Sequence, residues 1–392
     1  MAIEPPLSGI KVVEHASGVA AAYAGRLFTA MGAETVMVEP TAGSPLRREP
    51  PFFGTTPDQS ALFAYLGAGK RSVALDLMLD AYRDALDALL ADAHVLIDDT
   101  AMGDRVAIGL GADRIRRDHP DIVHVSVLPF GAAGDKAGWR GEEINLVHAG
   151  GEGFLLPNGL SADLFPDRPP VKIAGHFAEM QGGVAAVLGA LSALWTGKGQ
   201  FVDTSVQDAN VAVGAFAIQR YGDGSLEHRH HRSFRYGGVI ECSDGFVELL
   251  TLEERQWQAL VKLIGEPAWA MDEALSDPAE RSARGREINE AIRSWARRQQ
   301  VAELVARAQA LGVPMAPYNA PSDVLADPHV KARGLFAAVE LADVGGVPML
   351  TAPFRFGEAP LVIRSGPPEL GADQDLLGAA SKARQARRAE GR

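Results

Sequence analysis

Glu179 is the residue that most invites a chemical reading. It is the only acid between Val171 and Phe201, in the stretch VKIAGHFAEMQGGVAAVLGALSALWTGKGQF. Behind it come Gly182, Gly183, Ala185, Ala186, Gly189 and Ala190, side chains small enough for another backbone or a ligand to approach closely. An acid in the first turn of a helix is stabilised by the helix dipole and by free N–H groups, so a structural role is one reading. A carboxylate nucleophile is the other. The pattern alone leaves both open. Cations form the second group: Arg47 and Arg48 in SPLRREPPFF, Lys70 and Arg71 in GAGKRSVALDL, Arg105, and Arg140 in KAGWRGEEINL. Read as loops at the ligand end of a sheet, they point to an anionic ligand carrying phosphates; singly, each reads as solvated surface charge. The chain has no GxGxxG opening a helix, no GxxxxGK[ST], no GxSxG, no HExxH and no CxxC, so the common dinucleotide, P-loop, serine-hydrolase and zinc patterns are missing.

The elements that must position these residues follow from hydrophobic patterning. Ile10–Glu14 (IKVVE) reads as a buried strand, an Ala-rich helix follows around Ala22–Met31, and Thr35–Val38 reads as a second strand. Strand–helix–strand with short joints predicts a βαβ unit and a doubly wound parallel sheet. RSVALDL, HVLID, DIVHVSVLPFG and FVDTSV extend it as strands, with AYRDALDALLADA as an amphipathic helix. Such a sheet binds ligand outside the carboxyl ends of its strands. After about Phe216 the texture changes to a polar, His-rich connector, GDGSLEHRHHRSFRYGG, and then to a unit that opens on a hairpin pattern, GVIECSDGFVELL, and continues in charged helices. The last residues, SKARQARRAEGR, form a basic tail.

The 392 residues carry 47% hydrophobic and 22% charged side chains and a net charge of −12. That composition is globular, and the acidity argues against bulk nucleic-acid or anionic-membrane binding. A single cysteine, Cys242, excludes a disulfide framework and a cysteine metal cluster. The N-terminus lacks a signal-peptide pattern, and no uninterrupted apolar stretch reaches about 18 residues. The sequence therefore reads as a soluble, cytoplasmic protein.

Taken in order, LSGIKVVE, YAGRLFTAMGAETVMVEP, GKRSVALDL, GEEINLVHAGG, GALSALWTGKGQFVDTSVQDA, SDGFVELL, RQWQALVKLIG, LGVPMAPYN, DPHVKARGLF and PPELGADQDLL resemble the family III CoA-transferases, the CaiB/BaiF family, over nearly the whole chain. The family includes formyl-CoA transferase, carnitine CoA-transferase and the α-methylacyl-CoA racemases. The resemblance implies an α/β fold: a large Rossmann-like domain, here residues 1–215 completed by 340–392, a linker at 216–234 and a smaller α+β domain at 235–335, two chains interlocking as a homodimer.

It also implies a reaction. An aspartate at the start of the helix leading to TGKGQ attacks an acyl-CoA thioester, forming an anhydride. CoA thiolate then makes an enzyme thioester, and an incoming acid is exchanged in. That aspartate lies four residues before a glycine; counted from Gly183, the position is Glu179, one methylene longer. By position the resemblance places His15, Ala16 and Ser17 after the first strand, Arg47 after the second, Lys70, and Arg140 at the CoA, with Gly237 and Gly238 in a short version of the family's glycine loop over the anhydride. Coenzyme A is then a substrate, with an acyl donor and a carboxylic acid as partners and no tightly bound cofactor or metal. Racemases of the family pair a histidine with the aspartate to move an α-proton; Glu142 occupies that place here, leaving His148 and His176 as substitutes that also read as packing and loop residues. A non-catalytic acyl-CoA-binding protein, with Glu179 structural, is the remaining alternative. His228, His230 and His231 read as solvated linker before metal site, and Asp98–Asp99 as a helix-capping loop before a Mg²⁺ site.

Overall fold

In the computed structural model of the chain, residues 4–54, 59–151, 153, 172–214, 236–357, 359–361, 363 and 365–389 are described. The connector histidines 228, 230 and 231 and the expected linker lie outside them. The described chain divides into two compact units: one holds residues up to 153, 172–214 and those from His329 onward, the other residues 236–328.

The first unit is built on a six-stranded sheet of β1 (Lys11–His15), β2 (Glu34–Glu39), β3 (Arg71–Ala74), β4 (Val95–Asp98), β5 (Val123–Leu128) and β6 (Gln200–Ser205), in the order β3-β2-β1-β4-β5-β6 with every pair parallel. This is the Rossmann order, with its switch point between β1 and β4. Successive side chains of a strand point to opposite faces, and here both faces are buried. Val12, Ile97 and Val125 pack with Ala24 and Phe28 of α1 (Val19–Ala30) and with Ala186 and Ala190 further along. Val13, Val38 and Leu96 pack with Leu86 and Leu90 on the other side. That two-sided burial explains why the central strands read as runs rich in Val, Ile and Leu; the edge strand β6 is half exposed and more polar.

Between β2 and β3 lies α2 (Ala61–Gly67); α3 (Asp80–Leu90) and α4 (Ala112–Asp118) flank β4; α5 (Glu143–Ala149) follows β5. The long helix α6 runs Phe177–Trp195, with α7 (Val206–Val213) after β6. The helix α6 is long and apolar enough to cross a membrane by length and composition alone, but Ala178, Gly182, Gly183, Ala186, Val187, Ala190 and Ala193 are buried inside the unit. Its glycines are where other parts of the chain press in. A Cβ on Gly183 would stand 2.7 Å from the Ala20 carbonyl and 3.0 Å from the Tyr23 ring of α1; one on Gly182 would meet Val206 at 2.7 Å, and one on Gly189 Val202 at 2.8 Å. The small residues behind Glu179 therefore admit α1, α7 and β6. Of the two approaches that their size allows, at these glycines it is the chain's own backbone and side chains that come close.

The second unit pairs β7 (Gly238–Glu241), β8 (Phe246–Leu249) and β9 (Met315–Pro317) as an antiparallel sheet. Its core joins Ile240, Val247 and Leu249 to Trp257 and Leu260 of α8 (Glu254–Leu263), Ile288 and Ile292 of α9 (Gly285–Ala296) and Leu304 of α10 (Val301–Leu311).

Candidate active site

Glu179 sits inside the first turn of α6, two residues beyond its first residue. The first-turn N–H groups of a helix have no intrahelical partners, and here two of them are taken by an acid from elsewhere. Glu143, buried at the start of α5, accepts from Ala178 N–H through Oε1 and from Glu179 N–H through Oε2, both at 3.0 Å. Asn210 of α7 donates to the Ala178 carbonyl at 3.0 Å. The amides are thus spent on Glu143, and the side chain of Glu179 is left to a different partner: His176 Nδ1, 2.6 Å from its Oε2. Oε1 has no hydrogen-bond partner among the described residues.

The electrostatics differ from the simple dipole argument. Burial pushes the Glu179 carboxyl above its ordinary range, His176 pulls it back in part, and Glu143 and Glu142 push it further up. The helix terminus does not hold it low, because a second carboxylate already occupies that terminus. Glu142 itself lies exposed and caps its own helix at Asn145. His148 Nε2 is buried with no partner among the described residues.

At the switch point, β1 delivers His15, whose Nδ1 lies 2.9 Å from the Val38 carbonyl. Asp99, just past β4, closes over the start of α1. Its carboxylate accepts from Ser17 N–H at 2.9 Å and from Gly18 N–H at 2.6 Å, and also from Ser17 Oγ at 3.1 Å. In this geometry the amides at Ser17 and Gly18, where a βαβ fold usually receives an anion, are filled by the protein. Burial pushes Asp99 up to about 6 even so. Asp98 is buried against Arg105 at 3.1 Å and His124 at 3.4 Å. Among the described residues no group of three His, Cys, Asp or Glu is arranged for a metal.

The cations separate by use. Arg47 clamps Glu39 at 2.7 Å through both Nε and Nη2, lies over the Phe63 ring at 4.3 Å and reaches the Pro368 carbonyl. Lys70 and Arg71 are not in a loop beyond the carboxyl ends of the strands, as the sequence suggested; they enter β3 at its amino end. Arg71 meets Glu34 there at 3.1 Å. Lys70 is buried, with Nζ 2.6 Å from Glu14 and 2.8 Å from the Ala22 carbonyl. Arg105 is equally buried. Arg140, in the loop between β5 and α5, is exposed and makes no ion pair among the described residues. Gly237 and Gly238 both take positive φ, +94° and +72°, at the entry to β7. Gly237 N–H donates to Asn289 at 3.1 Å, which ties this turn to α9 of the second unit.

Comparison with known proteins agrees with this architecture. The family model of the CoA-transferase family III matches residues 7–374. The succinate–glutarate CoA-transferase of Agrobacterium fabrum is 29% identical over 385 residues, covering 95% of this chain and 94% of its own. The succinyl-CoA:(R)-benzylsuccinate CoA-transferase subunit BbsE of Thauera aromatica is 29% identical over 364 residues, 89% of this chain and 88% of its own. The crystal structure of a CaiB/BaiF family protein from Brucella suis superposes with a TM-score of 0.82 at 28% identity, covering 97% of this chain and 100% of that one. The chain belongs to CoA-transferase family III, and it is a CoA-transferase.

Proposed function

We propose that the protein exchanges CoA between an acyl-CoA and a dicarboxylic acid of the succinate–glutarate size, with Glu179 as the covalent carrier. The observation that carries this reading is a half-buried carboxylate with one oxygen held by His176 and the other unpaired among the described residues. Glu179 Oε1 attacks the thioester carbonyl, the C–S bond breaks and CoA leaves as thiolate, giving a mixed anhydride. The thiolate attacks the Glu179 carbonyl and releases the first acid. The incoming carboxylate attacks this enzyme thioester, freeing thiolate again. Thiolate then takes the new acyl group and restores Glu179. Charge is conserved at each step, so the cycle needs no net proton. The size of the acid is inferred from the relatives, whose names specify succinate and glutarate for one and succinyl-CoA and benzylsuccinate for the other. Incubation with succinyl-CoA and glutarate should yield glutaryl-CoA by chromatography, and hydroxylamine should trap a hydroxamate on the peptide containing Glu179. Hydrolysis alone, or a label on another peptide, would overturn the scheme.

The active form is proposed to be a homodimer in the cytoplasm. The outward face of α6 carries Val184, Leu188 and Trp195 at 47%, 67% and 93% exposure, spaced to fall on one side of the helix. An apolar stripe of this kind on a single chain marks an interaction surface, and a second copy would cover it. Light scattering at micromolar concentration should give twice the chain mass of 41.6 kDa; a monomer mass would refute it.

A further inference from the structure

Glu142, Glu143 and Glu179 together make the mouth of α6 acidic. Glu143 occupies its amides, and both neighbouring acids push the Glu179 carboxyl upward. A substrate with a single carboxylate brings only its reacting group into this field. A dicarboxylate brings a second negative charge, which the acids repel unless a cation meets it. The chain just before α6 holds such a cation. Residues 172–175 are exposed. The chain turns at Gly175, whose φ is +82°, and Lys172 Nζ reaches back across this turn to the Gly175 carbonyl at 2.7 Å and the Ile173 carbonyl at 3.4 Å. Two carbonyls hold the ammonium in place and leave its charge uncompensated; among the described residues it makes no ion pair. Gly175 is joined to His176, whose Nδ1 lies 2.6 Å from Glu179 Oε2. These links keep the Lys172 ammonium within roughly 12 Å of the Glu179 carboxylate.

We infer that Lys172 receives the distal carboxylate of a dicarboxylic acyl group while the other end reacts at Glu179, and so selects dicarboxylic over monocarboxylic partners. The inference rests on the dicarboxylate exchange proposed above and names the residue that reads the second acid. The reach fits. An extended succinyl group sets its two carboxyl carbons about 4 Å apart and a glutaryl group about 5 Å. With a near-attack contact at one end and a charge-assisted hydrogen bond at the other, nucleophile and cation stand about 10–12 Å apart. A lysine suits the task, since its ammonium is a compact charge on a flexible stem. It can swing from the carbonyls to carboxylates at either length. A brace for the Gly175 turn would need the donors of this side chain and not its charge, and the test turns on that difference.

Transfer of CoA from succinyl-CoA to glutarate and to its monoamide, glutaramate, tests the assignment, because the monoamide keeps the length and loses the distal charge. The wild type should favour glutarate in kcat/KM, by a margin that narrows as salt rises. Lys172→Met should lower kcat/KM for glutarate roughly 10-fold, mostly through KM, and leave glutaramate unchanged. Lys172→Gln, which keeps donors for the carbonyls, should behave as Lys172→Met does, and Lys172→Arg should keep most of the preference. Equal losses for the two acids in Lys172→Met, with recovery in Lys172→Gln, would make the side chain a brace for the turn and overturn the inference. So would an unchanged preference in Lys172→Met, or a wild type that uses both acids equally well. A wild type that transfers CoA to neither acid would instead remove the dicarboxylate reading on which the inference rests.

Discussion

Glu179→Gln is expected to lower CoA exchange by roughly 10³-fold or more while the protein keeps its fold and its affinity for CoA. The amide retains the shape of the side chain and removes the nucleophile. The rest of the helix mouth does not depend on that carboxylate, because Glu143 and Asn210 hold the backbone at Ala178 and Glu179. Glu179→Asp separates reach from charge: in a site built around glutamate the shorter acid should be slower by roughly 10- to 100-fold. Near-normal turnover in the Gln variant would make Glu179 a first-turn acid. Glu143 would not then inherit the role, since both of its oxygens are engaged by amides in a buried position.

The pH profile of kcat/KM carries the same argument. The attacking group must be the anion. Glu179 lies above its ordinary value of 4.5, with burial as the main cause, so the rate should rise as pH climbs through a value above the usual carboxylate range and level off beyond it. His176 favours the charged form. Replacing it with Gln should therefore move this acid limb to higher pH, with the plateau reached later. A limb that stays in place would show that His176 does not act on Glu179.

The sheet was legible in the sequence because its central strands, buried on both faces, leave short runs rich in Val, Ile and Leu, and such runs separated by helices admit few arrangements. The identity of Glu179 as a candidate was legible too, since it stands alone in an apolar segment. Its electrostatics were not. The capping of α6 depends on Glu143, 36 residues earlier, and nothing in local spacing reveals that two acids converge on one helix mouth. The small residues after Glu179 were ambiguous for a related reason: glycine signals a close approach and not what approaches, and the answer was α1, α7 and β6. Charges misled in the same way. Arg47, Lys70 and Arg105 look like free cations in a chain read linearly, and each is committed to an acid brought from another strand or turn.

Lys70 is the sharpest of these cases. Lys70→Ala is expected to destabilise the fold by about 3–5 kcal/mol, the usual cost of breaking a buried pair from one side. Its side chain and that of Glu14 are 0% and 3% exposed. The space they fill is reserved: a Cβ on Gly25 would fall 1.6 Å from Glu14 Oε2. Burial already pushes Glu14 up to about 7 against the opposing pull of Lys70, so removing the ammonium drives it higher still. An acid whose folded pKa is raised binds more protons folded than unfolded, so stability falls as pH rises from its unfolded value toward the folded one. The Lys70→Ala variant should therefore lose stability between the ordinary carboxylate range and neutral pH, continuing above about 7, as followed by urea melts across that range. A double variant, Glu14→Gln with Lys70→Met, has no buried charge to strand and should recover most of the loss. The same double variant decides whether Lys70 touches CoA. With its ammonium enclosed by Glu14 and the Ala22 carbonyl, the expected result is unchanged CoA affinity in a folded protein. A marked, salt-dependent loss of affinity in that folded double variant would instead return Lys70 to the phosphate site.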